Sequence, residues 1–205
     1  MNQGLFITLE GIEGAGKSTA AIYLAKYLKQ AQIDFILTRE PGGTEIAERI
    51  RGVILDHYQE QMHPDTEMLL YFAGRAQHLN QVIIPALALG KWVVCDRFTD
   101  ATYAYQSGGR GVLANKVIEL EAWVQGSLQP DLTLLFDVPV EVSVARLASA
   151  RTPDKFERES PDFFTKIRNA YLDRARNNPK RFCIINSNQA LEDVKAEVKN
   201  VISSL

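Results

Sequence analysis

Leu5-Phe6-Ile7-Thr8-Leu9-Glu10-Gly11-Ile12-Glu13-Gly14-Ala15-Gly16-Lys17-Ser18 decides how the whole chain is read. Leu5 to Leu9 is a short apolar run and the residues from 11 to 16 are rich in glycine. Ala21, Leu24, Ala25 and Leu28 then recur at helical spacing, which predicts strand, turn and helix in that order. Gly11 to Ser18 matches G-x-x-x-x-G-K-[ST], and the strand before it and helix after it are the context that makes this short pattern a phosphate-binding loop. Glycines let backbone N–H groups point inward around phosphate oxygens, and the helix N-terminus after Gly16 adds a positive dipole end. Lys17 reaches the β- and γ-phosphates, and the Ser18 hydroxyl can ligate Mg²⁺. The nucleotide-binding stretch is therefore Gly11, Ile12, Glu13, Gly14, Ala15, Gly16, Lys17, Ser18 and Thr19. A purely structural turn is the alternative, but a lysine beside a helix N-terminus is electrostatically awkward unless an anion meets it.

The same alternation continues outward. Phe35 to Leu37 reads as a second strand, followed after Pro41-Gly42-Gly43 by a helix carrying Ile46, Ile50, Val53 and Ile54. Asp65 can cap a long helix with Leu69, Phe72, Ala73 and Ala76 on one face, and Pro85 should bend or end it before the strand Trp92 to Cys95. Leu113, Val117, Leu120 and Val124 mark another helix, and Leu132 to Phe136 a strand. Val140, Val144 and Leu147 follow as a helix starting near Pro139. Residues 149–159 are polar and without period, until Ser160-Pro161-Asp162 supplies a cap, an N1 proline and an acidic first turn. Phe182 to Ile185 is the last strand; Leu191, Val194, Val198 and Ile202 close the chain as a helix. Five apolar strands separated by helices predict an α/β, P-loop NTPase-type three-layer fold, with a five-stranded parallel sheet in one domain spanning residues 1–205. Ligands in such folds gather beyond the carboxyl ends of the strands, so the loops beginning at Glu10, Thr38, Asp96, Asp137 and Asn186 are where function belongs.

Composition removes several classes. Across 205 residues, 23 Lys and Arg stand against 25 Asp and Glu, so no overall basic field exists to hold nucleic acid or an anionic membrane. No run of about 18 apolar residues is present, and the first ten residues lack the pattern of a signal peptide, which predicts a cytoplasmic protein without a membrane partner. Cys95 and Cys183 each lie in an apolar strand and read as buried reduced thiols. His57, His63 and His78 lack metal-ligand spacing. A switch GTPase would carry Asn-Lys-x-Asp, but Asn115-Lys116 is followed by Val117-Ile118.

The remaining loops carry Thr38-Arg39-Glu40-Pro41-Gly42-Gly43, then Phe72 and Arg75 on one helix. After the third strand come Asp96-Arg97-Phe98 and Asp100-Ala101-Thr102-Tyr103-Ala104-Tyr105-Gln106. Phe72 and Arg75 are three apart and share a helix face. A flat ring beside a guanidinium suits a pyrimidine, although a core ring with a surface ion pair fits the spacing equally well. Asp96 and Arg97 follow a strand into the crevice of the phosphate loop, where an acid can hold Mg²⁺ and an arginine can bridge phosphates. Together these motifs resemble bacterial thymidylate kinases, from about Leu5 to the final helix.

The resemblance implies ATP and dTMP as substrates, Mg²⁺ as cofactor and a homodimer. It implies that Phe72 stacks on thymine, Arg75 hydrogen-bonds it, and Arg97 and Arg51 grip the acceptor phosphate. Thr102, Tyr105 and Gln106 would surround the base edge and sugar, Glu13 would meet the deoxyribose hydroxyl, and Arg39, Glu40 and Pro41 would belong to the acceptor pocket. Arg146 would stack on adenine, with Asn186-Ser187-Asn188 along its other edge. Ser18 and Asp96 are the expected metal ligands. Phosphoryl transfer needs positive charge on the moving group and exclusion of water. This family supplies both through a lid, here residues 149–159. Arg151 is the expected catalytic cation beside Lys17 and Arg97, because its planar fork spans two phosphate oxygens; Lys155 and Arg158 are its rivals. Two departures stand out: Lys155 where arginine is usual, and Ser107 where glycine is common.

Overall fold

The computed structural model describes residues 4–148, 156 and 159–205. In chain order the elements are β1 (Phe6–Glu10), α1 (Lys17–Gln30), β2 (Phe35–Arg39), α2 (Glu45–Leu55) and α3 (Pro64–His78). A π-helical turn (Leu79–Ile83), α4 (Ile84–Ala88), β3 (Trp92–Asp96), α5 (Thr99–Thr102) and a second π-helical stretch (Tyr103–Gly109) follow. The chain ends with α6 (Ala114–Gln125), β4 (Leu132–Asp137), α7 (Val140–Ala148), α8 (Pro161–Asn177), β5 (Phe182–Asn186) and α9 (Leu191–Ile202). The predicted parallel sheet is present, with strand order β2-β3-β1-β4-β5.

β1 lies at the centre, paired on one side with β3 (Leu9 opposite Asp96) and on the other with β4 (Glu10 opposite Leu135), and all its residues are buried. A strand covered on both edges and both faces is largely apolar, as Leu5 to Leu9 announces, and its polar members are paired: the Thr8 hydroxyl meets that of Thr133 at 2.9 Å. From β1 the chain crosses to one side to make β2 and β3, then returns past it to make β4 and β5. The loops leaving β1, β3 and β4 therefore diverge around one crevice. Leu24 and Leu28 of α1, Phe163, Ile167 and Tyr171 of α8 and Val194, Val198 and Ile202 of α9 share the largest buried cluster with Ile7, Leu9, Leu134 and Phe136 of the sheet.

Four local expectations are corrected. α3 starts at Pro64 with His63 as its cap, whose Nδ1 accepts from the Asp65 N–H; Asp65 instead pairs with Lys116 at 2.7 Å. The buried face of α3 is rotated from the predicted one, leaving Leu69 52% exposed while Glu67, Met68, Phe72, Arg75 and His78 are buried. Pro85 does not end the segment but lies in α4 directly after the π-helical turn Leu79–Ile83, with helical backbone on both sides of it. Cys95 is buried but Cys183 is only half-buried, because β5 is an edge strand; both are free thiols. By contrast Ser160 caps α8, accepting from the Phe163 N–H with Pro161 next to it, as its sequence predicts.

Candidate active site

The loop after β1 closes tightly on the sheet. Gly11 has φ +138°, and a Cβ there would lie 2.5 Å from the Phe136 carbonyl of β4, so backbone freedom and bare space are both needed. Gly16 precedes α1 without a side-chain cap, leaving the first N–H groups of that helix to an anion. Lys17 opens the helix buried, its Nζ donating to the Gly11 and Ile12 carbonyls at 2.9 and 2.8 Å. Burial, with Arg97 nearby, pushes its ammonium down from 10.5 to about 8 against the pull of Asp96, Glu13 and Glu10. A cation so placed is stabilised by whatever anion enters the loop.

Gly14 to Thr19 line a groove running to Ser187, Gln189 and Leu191, and Arg146 crosses it, donating to the Gly14 and Ser187 carbonyls at 3.2 and 2.9 Å. Of Asn186-Ser187-Asn188, it is Ser187 that lines this groove. On the other side of the loop Ser18 and Asp96 border a common groove. Asp96 Oδ1 is buried with no hydrogen-bond partner among the described residues. An unpaired buried carboxylate oxygen is costly, and a hard divalent cation takes such oxygens together with a hydroxyl, so these two residues fit Mg²⁺.

Arg97 sits where the two halves of the crevice meet. Its backbone is left-handed at φ +70°, unusual for a residue with a side chain. Nη1 donates to the Gly11 carbonyl at 3.0 Å and to the Tyr171 hydroxyl at 3.2 Å, Nη2 pairs with Glu13 at 2.9 Å, and the guanidinium lies 4.7 Å from the Tyr105 ring centre. Beneath it, wholly buried Glu10 accepts from the Phe98 N–H and the Tyr171 hydroxyl, both at 2.7 Å. Burial, and then Asp100, raise the Glu10 carboxyl to about 8. Glu10 stands where a functional loop begins, but its partner Tyr171 is 161 residues away, and no spacing along the chain joins the two.

A second cavity opens beyond Arg97, lined among others by Glu13, Glu40, Pro41, Arg51, Tyr71, Arg75, Arg97, Tyr105 and Gln106. Arg51 is steadied by the Pro41 carbonyl at 3.0 Å, Tyr105 donates to Glu13 at 2.5 Å, and Gln106 donates to buried Glu67 at 2.9 Å. Thr102 accepts from Arg75 Nη1 at 3.1 Å and supports the wall from behind. Two expected residues lie elsewhere. Phe72 packs with Met68, Val112 and Val117, and it is Tyr71, four residues before Arg75 instead of three, that lines the cavity; both spacings share a helix face and packing chooses between them. Arg39 turns out to the groove of Ser18 and Asp96 and pairs with Glu48 at 2.7 Å, while its neighbour Glu40 points in. Arg151, Lys155 and Arg158 lie outside the described residues. Of the predicted lid, Phe156 is buried and meets the Tyr105 ring edge-on at 5.7 Å, and Glu159 pairs with Arg110 at 2.6 Å.

The family model for thymidylate kinase matches residues 9–198. A thymidylate kinase from Methylobacillus flagellatus is 56% identical over 200 residues, covering 98% of this chain and 97% of its own length. One from Ectopseudomonas mendocina is 56% identical over 202 residues, with 98% and 96% covered. The crystal structure of thymidylate kinase from Ehrlichia chaffeensis superposes with a TM-score of 0.78 at 32% identity, covering 98% of this chain and 99% of that one. A phosphate loop joined through one arginine to a second cavity is thus accompanied by likeness along nearly the full length, and the chain belongs to the thymidylate kinase family.

Proposed function

We propose that this chain transfers the γ-phosphoryl group of ATP to dTMP, giving ADP and dTDP for the supply of dTTP. The observation that carries this reading is Arg97, which touches both the loop that takes the donor phosphates and Glu13 on the wall of the second cavity. ATP lies along Gly11 to Thr19 with its base toward Arg146 and Ser187. The dTMP base lies between Tyr71 and Arg75, and its phosphate is held by Arg51 and Arg97. An oxygen of that phosphate attacks the γ-phosphorus, a new P–O bond forms as the β–γ bridging bond breaks, and ADP leaves with the electron pair. A phosphate oxygen at neutral pH is already anionic, so no general base is needed. Lys17 and Arg97 neutralise charge spreading over the transferred group, and holding both substrates in one cleft removes the entropic cost of their meeting. Mg²⁺, held by Ser18 and Asp96, would supply further charge neutralisation on the phosphates. Arg151 of the segment 149–159 is assigned to the same task.

One domain over residues 1–205, a cytoplasmic location and a homodimer belong to the same reading. The dimer is supported by an apolar surface where α3 and α6 pack, on which Trp123 is 82% and Leu69 52% exposed beside Met68 and Leu120. The test is ADP release from ATP with dTMP, dUMP, AMP, GMP and CMP as acceptors, for the wild type and Lys17→Ala. Acceleration by dTMP above the others, lost by roughly a hundredfold or more in the folded variant, is expected. Slow hydrolysis indifferent to every monophosphate would refute the proposal.

A further inference from the structure

From Glu40 and Arg75 on the wall of the acceptor cavity a buried relay runs back to His78 and Thr38. Glu40 accepts from Arg75 Nε at 2.7 Å through one carboxylate oxygen and from His78 Nδ1 at 3.0 Å through the other. On the far side of the imidazole, Nε2 meets the Thr38 hydroxyl at 2.6 Å. Arg75 and His78 are three apart on α3, so one helix face presents both to the loop after β2. A carboxylate only accepts, which places a ring hydrogen on Nδ1, while Nε2 shares its hydrogen bond with the Thr38 hydroxyl. His78 is fully buried, and the turn is shaped around it: Gly43, at φ +84°, is where a Cβ would come 2.5 Å from Nε2.

Arg75 is the donor that the cavity offers to a base, and its freedom is already spent. Nε is committed to Glu40 and Nη1 to Thr102, with the Phe72 and Phe98 rings 4.9 and 5.1 Å from the guanidinium carbon. A guanidinium has donors and no acceptor, so a rigid one favours a carbonyl and opposes an amino group, whereas one able to swing can escape the mismatch. We propose that His78 is a positioning residue which, through Glu40, fixes the plane of Arg75 and thereby sets the preference for a pyrimidine presenting a carbonyl over one presenting an amino group. This rests on the kinase reading above.

The test compares wild type, His78→Leu, His78→Asn and Thr38→Val, with dTMP and dCMP as acceptors and ATP saturating. Folding is checked by circular dichroism and thermal melting. For His78→Leu, KM for dTMP should rise about tenfold, the worth of one hydrogen bond to a charged group, with kcat within about threefold and KM for ATP unmoved. The preference for dTMP over dCMP should narrow by a similar factor. His78→Asn, whose amide can still donate to Glu40, should restore most of both, and Thr38→Val should fall between. A folded His78→Leu with wild-type KM and selectivity overturns the proposal. Where that variant does not fold, wild-type values in Thr38→Val overturn it, and a several-fold loss there sustains it. A wild-type chain that ignores dTMP refutes the kinase reading itself, a different result from a dTMP kinase indifferent to His78.

Discussion

Replacing Glu10 with glutamine should flatten the pH dependence of stability. Glu10 accepts two hydrogen bonds, yet burial and the neighbouring Asp100 raise its carboxyl from 4.5 to about 8. Between those values the folded chain holds a proton that the unfolded chain has released. The stabilisation is therefore whole below pH 4.5 and is lost as pH rises to 8, at about 1.4 kcal/mol per pH unit. From pH 5 to pH 8 the change is about 4 kcal/mol on the same relation. Glutamine has the same shape and does not titrate. Its carbonyl can accept from the Phe98 N–H and its amide can donate to the Tyr171 oxygen, at a cost that does not vary with pH. Urea unfolding followed by circular dichroism at pH 5, 6, 7 and 8 compares chains that differ only at Glu10 and in the pull it exerts on neighbours such as Lys17. With a slope of about 2 kcal/mol per molar urea, the variant's midpoint should gain about 2 M on the wild type across that range. A midpoint difference that stays constant from pH 5 to 8 would show that Glu10 does not titrate there and would refute the reasoning.

Three further outcomes are expected. Tyr71→Ala should raise KM for dTMP about tenfold or more, the worth of one base stacked on a ring, while Phe72→Leu should chiefly lower the melting temperature and move that KM less than Tyr71→Ala does, since the Phe72 ring packs in the core and only abuts Arg75; steady-state kinetics and melting curves on both variants check the contrast. Asp96→Asn should raise the Mg²⁺ concentration for half-maximal activity about tenfold, measured by titrating Mg²⁺ at fixed ATP, and an unchanged midpoint would remove Asp96 from the metal site. Trp123→Asp should convert a dimer into a folded monomer in light scattering at about 10 μM, since a buried carboxylate at an apolar interface costs several kcal/mol.

The central features were legible because they are local. Five apolar runs, each followed by helical spacing, imply a parallel sheet irrespective of how the rest packs, and the stretch Gly11 to Ser18 needs only its flanking strand and helix to become a phosphate cradle. Arg97, Tyr105 and Gln106 stand in quoted motifs and Arg51 follows from the family resemblance, and all four line one cavity. Errors arose where two local options were equally good. Tyr71 and Phe72 both stand at permitted spacings from Arg75, and Val112 and Val117, about forty residues on in the chain, take Phe72 into their cluster. Arg39 and Glu40 are neighbours, and successive side chains at a strand end leave on opposite sides, so only one could enter the cavity.

The amino-acid sequence alone determined the class of sheet and the place of the phosphate loop, because period and glycine content act over a few residues. It also determined that any anion would be held by local groups, because the net charge is only −2. Tertiary structure decided which ring lines the second cavity, which oxygen of Asp96 lacks a partner among the described residues, and which carboxyl burial pushes up to about 8. Those properties depend on desolvation and on partners brought from distant elements, as Tyr171 is brought to Glu10 and His78 to Glu40, and no spacing along the chain encodes them.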